Sequence, residues 1–171
     1  MDSKKANAAL IPHLDSAFNL ARWLTRNDQD ARDVLQEAFI RALRFFGSLE
    51  GEDPKPWFLK IVRNTCYTWI KQNRDGATTE PFDETTHAGD ETAPDPEFLL
   101  LLNADIARVR NALEQLAIEH CEILILRELE GLTYAEISQV LGVPIGTVMS
   151  RIARARAKMK TILENDGRSE K

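Results

Sequence analysis

Between Leu132 and Arg156 the chain spells a short helix, a tight turn and a cationic second helix, and no other stretch narrows the fold as far. Thr133 and Glu136 stand at capping-box spacing, so hydroxyl and carboxylate can satisfy otherwise orphan backbone N–H groups at the start of a helix beginning at about Tyr134. Leu132, just before the cap, can staple onto Ile137. Gly142 supplies the left-handed residue that ends this helix, and Pro144 fits the first turn of the next, where no N–H is needed. The pattern is a helix-turn-helix with a turn as short as DNA-binding units use.

On a helical wheel the second helix gathers Val148, Ile152, Ala155, Met159 and Ile162 into one apolar stripe. Thr147, Ser150, Arg151, Arg154 and Lys158 fall to one side of it, Arg156 and Lys160 to the other. Residues 137–163 hold five basic residues and no acidic one, whereas residues 104–136 hold seven acidic and three basic ones. A basic helix alone is more often a solvated face. Joined to the capping box, the glycine-proline turn and this charge segregation, it reads as a groove-entering element. The net charge of −5 over 171 residues argues against nucleic acid only until that distribution is considered.

Residues 75–97 carry eight acids, three prolines and no base, so they cannot pack a core. They read as a flexible acidic linker that, taken to residue 103, separates one helical module at 8–74 from another at 104–164. In the first module, Leu10 to Asn27 has helical spacing. Asp28 or Asp30 is a candidate N-cap for a second helix that runs to about Phe46 and buries Ala31, Val34, Leu35, Ala38, Ala42 and Phe45. A third helix spans about Trp57 to Asn73. In the second module, two helices at 104–116 and 118–130 precede the helix-turn-helix. No strand pattern, repeat, secretion signal or membrane-crossing run is visible, and a cytosolic location is expected. Cys66 and Cys121 lack partners at metal-ligand spacing and read as small buried hydrophobes.

Two outward faces of the first module carry information. Ile40 lies among Asp33, Glu37 and Arg44, an apolar residue ringed by charge as on a protein-docking face. On the third helix, Lys60, Asn64, Tyr67 and Lys71 recur along one side. Cations, an amide and an aromatic ring can together neutralise phosphates, bond a base edge and stack an unpaired base.

These parts in this order resemble the extracytoplasmic-function (ECF) sigma factors of bacterial RNA polymerase over nearly the whole chain. The stretch from Ala31 to Ala42 looks like the family's region 2.2, which docks on the clamp helices of the polymerase β′ subunit. The stretch from Trp57 through Arg74 looks like regions 2.3 and 2.4, which open and read the minus-10 element. Residues 126–137 and 146–151 match region 4.2, which binds the minus-35 element. Arg32, Thr68 and Ala117 depart from the family pattern without removing a residue the function requires.

The resemblance implies an all-α fold of two small modules, region 2 and region 4, and a promoter-specificity subunit without catalysis, cofactor or metal. Its implied partners are core RNA polymerase, promoter DNA and an anti-sigma factor, with the acidic linker lying in a basic polymerase channel. Polymerase contacts are expected from Asp33, Gln36, Glu37, Ile40 and Arg41. Minus-10 contacts are expected from Lys55, Trp57, Lys60, Arg63, Asn64, Tyr67 and Lys71. Minus-35 contacts are expected from Thr147, Met149, Ser150, Arg151, Arg154, Arg156 and Lys158, with Arg156 on the phosphate-contacting flank. A dimeric helix-turn-helix regulator would explain the second module alone. An enzyme finds little support, since His13, His87 and His120 are scattered and no nucleophile, metal set or phosphate loop is seen.

Overall fold

The computed structural model describes residues 3–49, 53–73 and 96–169, with side chains of the last stretch from residue 103 onward. Within them every regular element is helical, as expected. Helices α1 (Ser3–Leu10), α2 (Leu14–Thr25), α3 (Asp28–Phe45) and α4 (Pro54–Gln72) form the first module. Helices α5 (Pro96–Gln115), α6 (Ile118–Leu124), α7 (Tyr134–Leu141) and α8 (Ile145–Ser169) form the second. Arg74 and residues 75–95 of the acidic segment lie outside the described residues, whereas 96–103, assigned to the linker from sequence, begin α5. None of these helices is long and apolar enough to cross a membrane.

Local chemistry sets the boundaries. Helix α2 ends on Arg26 in the left-handed conformation at φ 58°, which turns the chain so that Asn27, rather than Asp28 or Asp30, caps α3. The Asn27 side chain accepts from the Asp30 N–H at 3.0 Å, and Asp28 and Asp30 instead place negative charge in the first turn, where the helix dipole favours it. Helix α4 starts three residues earlier than expected, because Asp53 caps it and Pro54 sits at its first position. Beyond Leu124, residues Ile125–Leu129 widen into a single π-helical turn, so the predicted helix over 118–130 is not uniformly α.

In the first module, α2, α3 and α4 pack on one another around fully buried Leu20, Ala31, Ala38, Phe58, Leu59 and Val62. Phe39 meets Phe58 edge to face at 6.2 Å. Burying a ring such as Phe58 stabilises the fold by about 1.5 to 3 kcal/mol. Phe45 departs from expectation: it is 57% exposed, because the chain leaves α3 there for a 3-10 turn at Phe46–Ser48, and Phe46 instead packs edge to face on Trp57. In the second module, α6 and α7 pack on the stripe of Val148, Ile152 and Ala155 from α8, with Met159 and Ile162 partly buried beyond them. The two modules also touch, α2 against α6 and α4 against α7, so that one apolar core runs through both.

Candidate nucleic-acid interface

The helix-turn-helix is built as its sequence dictates. The Thr133 N–H donates to the Glu136 carboxylate at 2.7 Å, and the Glu136 N–H donates to the Thr133 hydroxyl at 3.2 Å, closing the capping box. Leu132 and Ile137 are both buried, as a staple requires. Gly142 takes φ 67° and its N–H reaches the Ser138 carbonyl at 2.9 Å, while the Ser138 hydroxyl donates to the Val143 carbonyl at 2.5 Å. Pro144 stands one residue outside α8 rather than in its first turn, and its carbonyl accepts the Val148 N–H at 3.1 Å. Arg127 stacks 4.7 Å over the Tyr134 ring and donates to the Leu132 carbonyl at 2.8 Å, fixing α7 to the π turn.

This scaffold holds α8 with its buried stripe inward and a cationic flank outward. Ser150, Arg154 and Lys158 are exposed, Thr147 and Arg151 are half-buried, and Met149 is 54% exposed at the leading end. Arg154 donates to the Ser150 hydroxyl at 3.3 Å, aligning it along the helix. Arg151, Arg154 and Lys158 form no ion pair among the described residues, so their charge is available to an anion. His120 reports the resulting field: partial burial first, then the charges of Lys158, Arg154 and Arg151, hold its imidazole below the usual range. Arg156 differs. It grips Glu128 of the π turn at 2.7 and 3.0 Å, on the opposite flank from Arg154.

That flank borders a feature the sequence did not reveal. An apolar groove of about 690 Å³ runs between α5, the π turn and α8, lined by Val109, Leu113, Leu129, Met159 and Leu163. Leu129 is 61% exposed there. Arg108, Glu128, Arg156, Lys160 and Glu164 also line the groove.

In the first module, Asp33, Gln36, Glu37, Ile40 and Arg41 form one exposed face of α3, with Ile40 half-exposed and Arg41 paired to Glu37. Phe45, one turn beyond Arg41, extends the apolar part of that face; its departure from the core is the signal, absent from the wheel. On α4, Lys60, Asn64 and Lys71 are exposed as expected, and Trp57 is half-buried against Phe46.

Lys55, Arg63 and Tyr67 are not on that open side. Arg63 makes a two-pronged ion pair with Glu122 of α6 at 2.9 and 3.1 Å, and its guanidinium lies 4.3 Å from the Tyr67 ring centre. Glu122 is fully buried. Burial pushes its carboxyl up against the opposing pull of Arg63. Burial, then the nearby Glu122 charge, likewise raises the Tyr67 phenol, whose hydroxyl is enclosed without a well-formed hydrogen bond. Lys55 reaches the Glu130 carbonyl at 3.1 Å and its carboxylate at 3.5 Å. Cys66 and Cys121 flank this contact as inert thiols, pushed up mainly by burial to about 12 and about 11. No cluster of metal-ligating side chains occurs among the described residues.

The caps carry a direct test of the scaffold. Thr133→Ala is expected to cost about 1 kcal/mol through the lost cap. Gly142→Ala should cost a similar amount, about 1 kcal/mol, because a Cβ meets no atom there but the positive φ penalises it. Chemical denaturation of the two variants checks both values.

Comparison with known proteins agrees with this geometry. A model of sigma-70 region 2 matches residues 11–75, and one of sigma-70 region 4 matches residues 106–159. The ECF RNA polymerase sigma-E factor of Haemophilus influenzae is 34% identical, covering 94% of this chain and 89% of the relative. The sigma-E factor of Escherichia coli K12 is 37% identical over 91% of this chain and 84% of the relative. Among solved structures, the sigma factor RpoE of Bartonella quintana, in complex with the anti-sigma factor NepR, is similar with a TM-score of 0.75 and 25% identity, covering 94% of this chain and 98% of that one. Two modules that match region 2 and region 4 in chain order, on a chain similar to whole sigma factors along most of their length, leave one conclusion: this protein belongs to the ECF family of RNA polymerase sigma factors, which are transcription initiation factors and not enzymes.

Proposed function

We propose that the chain is a dissociable promoter-specificity subunit that binds core RNA polymerase, reads two promoter elements and assists strand opening. The observation that carries this reading is the capped helix-turn-helix whose outward flank offers Ser150, Arg151, Arg154 and Lys158 to one groove. Arginine there can read guanine edges or clamp phosphates. The α3 face around Ile40 docks on the polymerase, with Phe45 at its edge. Family membership supports this assignment, as does the juxtaposition of an exposed apolar residue with Asp33, Glu37 and Arg41. The acidic segment 75–97 lies in a basic polymerase channel, and an anti-sigma factor, the partner class seen with the Bartonella relative, holds the protein in reserve.

The α4 side handles the separated strand. Lys60 and Lys71 neutralise phosphates, Asn64 offers an amide to a base edge and Tyr67 a ring for stacking. Losing Asn64 and Tyr67 together is therefore expected to impair promoter opening while leaving duplex binding by α8 unchanged. Permanganate footprinting of the start region on the holoenzyme reads this directly. Normal opening by the double Ala variant would return the stripe to an ordinary solvated surface.

A further inference from the structure

Two large apolar side chains stand exposed at the leading end of α8. Ile145 is 47% and Met149 54% exposed, and both lie outside the core cluster that takes up Val143, Val148 and Ile152 around them. Four residues apart, they are neighbours on one side of the first turn, and Cα–Cβ bonds tilted toward the helix start carry both toward its tip. Gly146 adds no side chain beside them, and the space a Cβ would fill there is open. From Ile145 to Ser150 the chain carries no formal charge; cations begin at Arg151. The helix therefore has an apolar tip and a cationic body.

The surroundings narrow what such a tip can meet. Met149 lies two turns ahead of Arg156 on one flank, and Arg156 is held by Glu128 at 2.7 and 3.0 Å. Arg151, Arg154 and Lys158, which form no ion pair among the described residues, point elsewhere around the helix. Neutralising phosphates thus falls to the body, and the tip has nothing to offer a phosphate. A recognition helix touches base edges with its N-terminal residues. In unmodified DNA the only methyl group on those edges is the C5-methyl of thymine. An uncharged apolar tip can cover that methyl from water without desolvating a charge of its own.

We propose that Ile145 and Met149 form an apolar tip that reads thymine methyl groups in the major groove, so that A·T pairs are selected where the leading end of α8 enters the upstream promoter element. The tip rests on the duplex-reading role assigned to α8 above and is continuous with the surface of Ser150 and Arg154. It selects thymine over cytosine, while the arginines behind it read guanine edges or hold phosphates.

Uracil in place of thymine tests this, since it removes the methyl and leaves base pairing unchanged. Fluorescence anisotropy follows the holoenzyme of full chain and core RNA polymerase on promoter duplexes carrying the upstream block that it enriches from a random library. Uracil at the thymine under the tip should weaken wild-type binding about fourfold, the worth of one buried methyl. Replacing Ile145 and Met149 together with Ala should weaken binding to the thymine duplex at least as much and abolish the difference between thymine and uracil. Uracil placed at every thymine in turn without loss, or an enriched block lacking any A·T pair, would overturn the tip. An equal uracil loss in wild type and double variant would also overturn it, assigning the methyl's effect to the DNA or to another side chain. A double variant that binds core enzyme poorly in the absence of DNA, with no thymine dependence, would give the pair to a protein contact instead. Replacing Arg151 and Arg154 with Ala separates the tip from the larger reading. If that variant loses selective binding while uracil has no effect on wild type, the tip alone fails; if it binds undiminished, α8 leaves the groove and the tip with it.

Discussion

Replacing Arg151 and Arg154 together with Ala is expected to remove sequence-selective duplex binding. Each well-formed contact from arginine to a base edge is worth about 1 to 3 kcal/mol of discrimination, so the pair amounts to about 2 to 6 kcal/mol if the losses add. The lower bound already corresponds to roughly a thirtyfold loss of affinity. Neither residue has an ion pair to lose among the described residues, so stability should hardly change. The single variants separate the two kinds of contact. If Arg154 reads a base, Arg154→Ala relaxes preference at one position of the minus-35 element. If it clamps a phosphate, all sequences weaken alike and the salt slope becomes shallower by about one. Arg156→Ala should matter less for DNA, because Glu128 already holds that guanidinium. Binding to a duplex library at two salt concentrations distinguishes these outcomes, and undiminished binding by the double variant would take α8 out of the groove.

Ile40→Asp should have the second large effect. Ile40 is half-exposed and makes no part of the core, so the folded chain should lose less than about 0.5 kcal/mol. Polymerase binding should fall by at least about tenfold, since on the proposed docking an exposed apolar side chain is replaced by a charge that must be desolvated. Phe45→Ser, at the edge of the same face, should weaken binding less. Circular dichroism secures the fold and fluorescence anisotropy against core enzyme measures the binding. A folded Ile40→Asp variant that binds as well as wild type would detach α3 from the polymerase.

Much of this was legible in the sequence because it is local. Thr133, Glu136 and Gly142 act through neighbours within four residues, and the helix-turn-helix followed directly from them. The apolar periodicity of α8 also held, because one continuous helix carries it. What escaped reading depends on distant or non-periodic events. Glu122 sits in an apolar run, and its partner Arg63 lies 59 residues away, so neither the burial nor the pairing has a local sign. Arg63 and Tyr67 fall on the helix expected from Trp57 onward and Lys55 just before it, yet spacing along one segment cannot show that a second module covers them. Phe45 kept the core period but lies at the residue where α3 gives way to a 3-10 turn. The π turn at Ile125–Leu129 shifts the helix phase where Leu129 borders the groove, which a period of 3.6 residues does not foresee.

The most direct test of the promoter-specificity reading combines core RNA polymerase, the full chain and a random promoter library in one transcription selection. The account predicts saturable binding to core enzyme and enrichment of templates with two separated sequence blocks at fixed spacing, the upstream one losing definition when Arg151 and Arg154 are replaced by Ala. Enrichment of palindromic duplexes bound without polymerase, together with no affinity for the core enzyme, would contradict it.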